Sequence, residues 1–485
     1  MYAIFSNGVR FPPASTVITM VGWGIVSVCA GLIAVVLPAH LAISIIAVPV
    51  AVALVFMRPE YGVLIVAAIS CGLLPPALLP SVFGFGVSEL ILVMVTLSVV
   101  LLYRKPESVR SKVPLLSGSW TFFNAMLIWY CISVAYAIAI ARVPVEAVLG
   151  EARDIGYLIL FPVTYIVCQN SSRRRRILTG LMVLAFLFAF GQILQGVFNV
   201  PVFGHAGRLE VLETLGQKSY GVTRSLTRGI SIILFAIFLF AASYVAKRMS
   251  GFRFFLSAAI LGAGVLLTFG RTTYAVTILG LLFVVWTVDK KAMPRFLLFM
   301  AIGGIVAMAG LAALRPAIVE GFVDRVGSAS NEIEYGASAQ WRFLEAELVL
   351  PQIARKPLLG IGLGAEYRKN YASDVVPEQN RYIHNGYLYV AAKMGVPAIL
   401  IFAGFILSVL LYAIRVVCSP RYPIEERLIG AAGAAMMLRF VLASVTEPHF
   451  MADYGIVIIC VIAAIIVSAA APQPVLSPLQ ARGGR

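Results

Sequence analysis

Arg228, Arg271, Arg342 and His384 are the residues whose types and settings point to chemistry. Arg271 interrupts an apolar stretch, LLTFGRTTYAV, Arg228 opens another in TRSLTRGISIILF, and Arg342 lies in QWRFLEAELVLPQIARKP, where apolar and charged positions interleave. An arginine within or at the edge of a membrane-crossing segment is costly to desolvate and by default marks a functional site with a partner. A guanidinium grips phosphate oxygens through parallel, permanently charged hydrogen bonds, each contributing about 1.5–3 kcal/mol. His384 sits in NRYIHNGYLYVAAKMGVPA, where a long polar stretch meets an apolar run, with Arg381 three residues before it and Asn385 directly after. Imidazole titrates near neutral pH, so it can take a proton from an attacking hydroxyl or donate to a phosphate oxygen; the residues leave both roles open. The plainer alternatives are snorkelling for the arginines and a satisfied helix-end contact for the histidine. Taken together, three guanidinium groups and an imidazole on one membrane face suit a lipid-linked pyrophosphate, with its phosphates at headgroup level, its tail between helices and its sugar outside.

A membrane must position these side chains. The 485 residues are 60% hydrophobic and 12% charged, where soluble domains carry about 25% charged, which excludes a water-soluble globular enzyme. One crossing needs roughly 20 apolar residues. The apolar runs, from 17–36 and 40–57 through 154–168, 386–414, 428–445 and 454–471, predict an all-α polytopic protein with 12–14 transmembrane helices. They form one integral membrane domain, 1–485. The net charge of +16 comes from the connections at 103–112, 173–176, 246–253, 289–295 and 415–427, together with the termini and Arg58. Assigning these to the cytoplasm satisfies the positive-inside rule and accounts for the basic excess without nucleic acid. No cleavable signal peptide precedes the first span. The six cysteines fall within spans or on the cytoplasmic side and lack metal-ligand spacing, so no metal site is expected.

In this topology two exported segments exceed a turn: about 196–227, and a large periplasmic loop at 315–385. Loops of that length are functional or disordered, and the second has a helical pattern. Trp341, Leu344 and Leu348, interleaved with Arg342, Glu345 and Glu347, predict an amphipathic helix on the bilayer surface. PLLGIGLGAEY then supplies a glycine-rich turn. It lacks the flanking strand and helix of a dinucleotide site and the Gly-Lys-Ser/Thr of a P-loop. His40, His205, His384 and His449 all fall at exported ends of spans, and Arg153 with Asp154 reads as a structural pair.

These residues, in this order, resemble the O-antigen ligase and polymerase superfamily, bacterial inner-membrane glycosyltransferases, over roughly 225–400. The family's span opening with a Ser-Arg-like pair is matched by Gly270 and Arg271, and its arginine before an amphipathic loop helix by Arg342. Its Pro-Leu-Leu-Gly-x-Gly turn is matched by Pro357 to Gly362, and its His-Asn, nine residues and Gly by His384, Asn385 and Gly395. Ala398 departs from the Gly, Thr or Tyr usual in ligases and leaves ligase and polymerase both open. The resemblance implies a GT-C-like helical fold and a metal-independent, inverting glycosyltransferase with no cofactor. Its donor would be an undecaprenyl-pyrophosphate-linked glycan, and its acceptor lipid A-core or a second lipid-linked glycan. Catalysis would rest on His384, Arg271 and Arg342, and substrate binding on Arg228, Arg381 and Asn385, among membrane lipids at the periplasmic face. A lipid-linked oligosaccharide flippase is the alternative. Transporters often show inverted repeats with paired broken helices, and no second copy of the break near 254–288 is visible.

Overall fold

The computed structural model describes residues 53–74, 86–102, 118–198, 200, 202–203, 207–211, 223–327, 337–368 and 380–470. The chain divides into two units, Met1–Arg58 and Pro59–Arg485. Of the first, 53–57 form a helical turn. The run expected at 17–36, most of that at 40–57, and His40 and His205 lie outside the described residues.

The second unit is a helical membrane protein, as the composition requires. Its helices are α1 (Pro59–Ser70), α2 (Val87–Leu102), α3 (Gly118–Ala139), α4 (Val145–Gly156), α5 (Leu160–Cys168) and α6 (Ser171–Phe198). After a two-stranded antiparallel ribbon, β1 (Gly207–Val211) with β2 (Thr223–Thr227), come α7 (Ile230–Val245), α8 (Gly251–Leu266), α9 (Arg271–Asp289) and α10 (Met293–Leu314). The large loop contributes α11 (Pro316–Gly327) and α12 (Ala337–Arg355). The chain closes with α13 (Gly386–Met394), α14 (Val396–Cys418), α15 (Ile424–Ala443) and α16 (Asp453–Ala470). Among the described residues, five helical stretches are long and apolar enough to cross a membrane: α3, α6, Arg271–Leu314 (α9 and α10 joined through a 3₁₀ turn), α14 and α16. Shorter apolar helices accompany them at α1, α2, α7 and α8.

Charged pairs identify one end of the bundle. Arg176 at the start of α6 meets Glu60 at the start of α1 at 2.7 Å. Arg174 and Arg175 pair with Glu426 and Glu425 at the start of α15. The Arg173–Arg176 run, read as a topology signal, is thus also a clasp for three helix starts. From there α6 and α15 run to the opposite end, where α6 finishes under Arg315, whose Nη1 donates to the carbonyls of Gly196 (3.3 Å) and Val197 (3.0 Å). A cation on orphan C-terminal carbonyls is a favourable cap. That second end is also where α7, α9 and α16 begin, and it carries the site.

Two expected spans are subdivided. The run at 154–168 is completed by α4 and α5 with a 3₁₀ turn, Tyr157–Ile159, between them. The run at 386–414 breaks into α13 and α14 at Gly395, which takes φ +86° and lies against the Leu358 carbonyl. Only glycine occupies such a position without steric strain.

Candidate functional site

The site is assembled on the connector between α15 and α16. Ser444 accepts from the backbone N–H of Gly386 at 2.8 Å, two residues after His384. Thr446 Oγ1 lies 3.5 Å from Thr272 Oγ1, one residue after Arg271. Asp453 meets Arg228 at 3.7 Å, and the Arg228 guanidinium lies 5.5 Å from the Tyr454 ring centre. Segments carrying Arg228, Arg271 and His384, far apart in sequence, therefore border one short stretch at one end of the bundle.

Arg271 owes its place to a tight, buried turn. Thr268 is fully buried, its hydroxyl donating to Val265 O at 2.7 Å and accepting from Gly270 N–H at 3.2 Å. Phe269 takes φ +47°, a conformation that costs about 1–3 kcal/mol for a non-glycine residue. The aromatic ring offsets that strain by packing with Leu267, Leu311 and Ile318 beneath α11. The break in the apolar run thus ends α8, reverses the chain and makes Arg271 the first residue of α9.

Arg342 lies on α12, which docks through a mixed face. Glu345 and Val349 are buried, while Phe343 and Leu350 are 62% and 52% exposed. Trp341 and Leu344 are exposed as well, alongside Glu347. Gln352 Nε2, one turn beyond Val349, donates to Tyr367 O at 2.6 Å. Arg342 precedes Glu345 by three residues and so shares its face. Glu345 is 3% exposed. Its Oε1 lies 2.8 Å from His384 Nδ1 and accepts from the Tyr367 hydroxyl at 3.2 Å, and its Oε2 accepts from the His384 backbone N–H at 3.0 Å. Burial and the Glu345 carboxylate push the Tyr367 hydroxyl well above the usual phenol range, so it remains a donor. The Tyr382 ring meets the imidazole edge-on at 5.0 Å.

The His-Asn, nine residues and Gly pattern is one short helix with both ends specified. The Asn385 side chain caps α13, accepting from Tyr387 N–H (3.0 Å) and Leu388 N–H (3.1 Å), the usual N-cap contact. Gly395 closes the helix with positive φ. The glycine-rich turn is a buckle against this helix. Gly360, Gly362 and Gly364 all have positive φ, and Ile361 N–H donates to Ala392 O at 2.7 Å. Gly364 N–H donates to Glu151 Oε2 at 2.7 Å, and Glu151 Oε1 also takes Lys393 Nζ at 2.8 Å and the Tyr389 hydroxyl at 3.2 Å.

The remaining expected residues lie nearby with partners of their own. Arg381 pairs with Glu366 at 3.6 Å. Arg153 approaches Glu89 at 3.4 Å and Asp154 at 3.9 Å. His449 is fully buried in the connector, with Nε2 3.2 Å from Glu447. Burial, reinforced by Arg439, pushes its imidazole below the ordinary histidine range, although Glu447 opposes the shift. Sequence reasoning missed two charged residues. Glu345 read as part of a solvated face, and only its spacing from Arg342 hinted otherwise. Arg439, 3% exposed and stacked at 4.9 Å on Phe440 within α15, was visible as a charge inside an apolar run. Among the described residues no group of three or more His, Cys, Asp or Glu could hold a metal ion.

Residues 256–403 match the model of the protein family described as O-antigen ligase. The matched segment runs from α8 into α14 and contains Arg271, Arg342, Glu345, Arg381, His384 and Asn385, while Arg228 and the connector lie outside it. No curated protein matches the chain.

Proposed function

We propose, from the match of residues 256–403 to the family model described as O-antigen ligase, that this chain is an O-antigen ligase-type enzyme that transfers a glycan from undecaprenyl pyrophosphate to an acceptor hydroxyl at the periplasmic face of the bacterial inner membrane. The reaction is a single displacement with inversion. The acceptor oxygen bonds to the anomeric carbon as that carbon's bond to the pyrophosphate oxygen breaks, the electron pair leaves with undecaprenyl pyrophosphate, and the acceptor's proton passes to His384.

The observation that carries this reading is the shared connector, with Thr446 beside Thr272 and Ser444 bonded to Gly386. It ties the start of α9, which carries Arg271, and the start of α13, next to His384, to connector residues two apart in sequence. The barrier is charge development on the leaving pyrophosphate, which preorganised positive groups aimed at it lower directly. Arg271 and Arg342 supply that charge without calling on a metal. Arg228 and Arg381, already paired with Asp453 and Glu366, serve as outer contacts for phosphate or sugar. Asn385 acts through its cap, which fixes the helix start next to His384.

The test is reconstitution. Purified protein in liposomes, given polyprenyl-pyrophosphate glycan with either lipid A-core or excess donor, yields glycosylated core if it is a ligase and lengthened lipid-linked glycan if it is a polymerase. His384→Ala, Arg271→Ala and Arg342→Ala each cut transfer on the order of 10²-fold or more while the protein stays inserted. Full activity in all three overturns the site, and lipid translocation without transfer overturns the reaction in favour of a flippase.

A further inference from the structure

Glu345 is a buried carboxylate, and each of its oxygens meets His384. Oε1 faces His384 Nδ1 at 2.8 Å, and Oε2 takes the same residue's backbone N–H at 3.0 Å. The Tyr367 hydroxyl adds a third donor at 3.2 Å. The His384 side chain is 23% exposed against 3% for Glu345, so the imidazole stands between the buried carboxylate and open space. We propose that Glu345 is a positioning residue that holds His384 in the tautomer protonated at Nδ1 and presents Nε2 to the acceptor hydroxyl.

A carboxylate can only accept hydrogen bonds. The contact at Nδ1 is therefore an N–H donation, and in a neutral imidazole the lone pair then belongs to Nε2. Gripping ring and backbone together adds rigidity that a single contact lacks, because rotating the imidazole away from Nε2-outward breaks a charge-assisted bond while the backbone bond holds the carboxylate in place. The edge-on Tyr382 ring limits movement on another side. When Nε2 takes the acceptor's proton, the resulting imidazolium lies directly against the negative carboxylate. Its charge is stabilised there while the Nδ1 proton stays on the ring.

The role assigned to Nε2 rests on the transfer reading above, and the experiment separates the two. In reconstituted full-length protein, Glu345→Gln keeps the size of the side chain but loses its charge and one of its acceptors. Its kcat falls by about 10- to 100-fold, part of the roughly 10²–10⁴-fold that a positioned general base contributes, while KM for the lipid-linked donor stays within threefold. The double variant Glu345→Gln/His384→Ala is no slower than His384→Ala alone, as expected for a residue that acts through the histidine. If His384→Ala retains full activity, the base reading itself fails. If His384→Ala is inactive but Glu345→Gln keeps kcat within twofold, the positioning role is overturned and the base reading survives. If Glu345→Gln loses donor binding or thermal stability in step with activity, Glu345 is only a tie between α12 and the loop, and the proposal is equally overturned.

Discussion

Lys393 reaches the carboxylate of Glu151 at 2.8 Å with its own side chain fully buried. The pair joins α13 to α4, and through the Gly364 N–H on Glu151 it also fastens the glycine-rich turn. Removing one partner of a buried ion pair costs about 3–5 kcal/mol because the other charge is left uncompensated. Lys393→Met is therefore expected to lower the thermal midpoint of the detergent-solubilised protein sharply, and Glu151→Leu to do the same. The double variant should lose less than the sum of the two, since it strands neither charge. An unchanged midpoint in Lys393→Met would show that the pair does not hold the turn.

The glycines of that region should divide by geometry. At Gly395 a Cβ would lie 2.0 Å from the Leu358 carbonyl oxygen, on a backbone already at φ +86°, so Gly395→Ala is expected to abolish recovery of folded protein. At Gly262, within α8, a Cβ meets nothing within 4 Å. Alanine there should stabilise the helix by about 0.5–1 kcal/mol. Comparable yields and midpoints for the two variants would contradict this account.

Those two positions also show how far sequence reaches. Apolar runs mark helices wherever a span is continuous: the run expected at 272–288 is α9, Arg271–Asp289, and that at 119–139 is α3, Gly118–Ala139. The runs mislead where a single glycine or a buried turn splits them, as at Gly395, because hydropathy carries no information about φ. The arginines and His384 stood out because charge in an apolar setting is rare. Glu345 did not, since with Arg342 and Glu347 among apolar residues it looks like the wet face of an amphipathic helix. Only the docked position of α12 buries Glu345 against His384. The ribbon of β1 and β2 left only the four-residue alternation Arg208–Val211, too short to mark a strand within its long exported segment.

Arg271 begins α9 and Arg228 lies two residues before α7, at the same end of the bundle. Arg228 has Asp453 at 3.7 Å and is half exposed, so its charge is partly spent before substrate arrives. Arg271→Ala is expected to reduce turnover on the order of 10²–10³-fold, the scale of losing one preorganised donor to a developing anion. Arg271→Lys should recover only part of this, because an ammonium lacks the fork that holds two phosphate oxygens. Arg228→Ala should lose less than about tenfold, its charge being screened in this way. Steady-state transfer rates in liposomes decide the order, and an Arg228→Ala defect exceeding that of Arg271→Ala would reverse the assignment.

His449 gives the connector a pH limit. Its imidazole is completely buried beside Arg439 and Glu447, and burial lowers its proton affinity below that of an exposed histidine. Above about pH 6.5, the ordinary histidine value, folded and unfolded chains both hold it neutral and it contributes no pH dependence. Below that value the unfolded chain takes a proton that the folded one refuses, so the unfolded state binds more protons and stability falls as pH falls. The loss continues down to the lowered native value and then levels off. Thermal midpoints measured at pH 7.5, 6.5 and 5.5 should therefore decline for the native protein and decline less for His449→Gln, which cannot titrate. Because the connector carries the contacts to Thr272 and Gly386, heat inactivation of transfer should follow the same pH course. Parallel declines in the two proteins would assign the acid sensitivity to other groups.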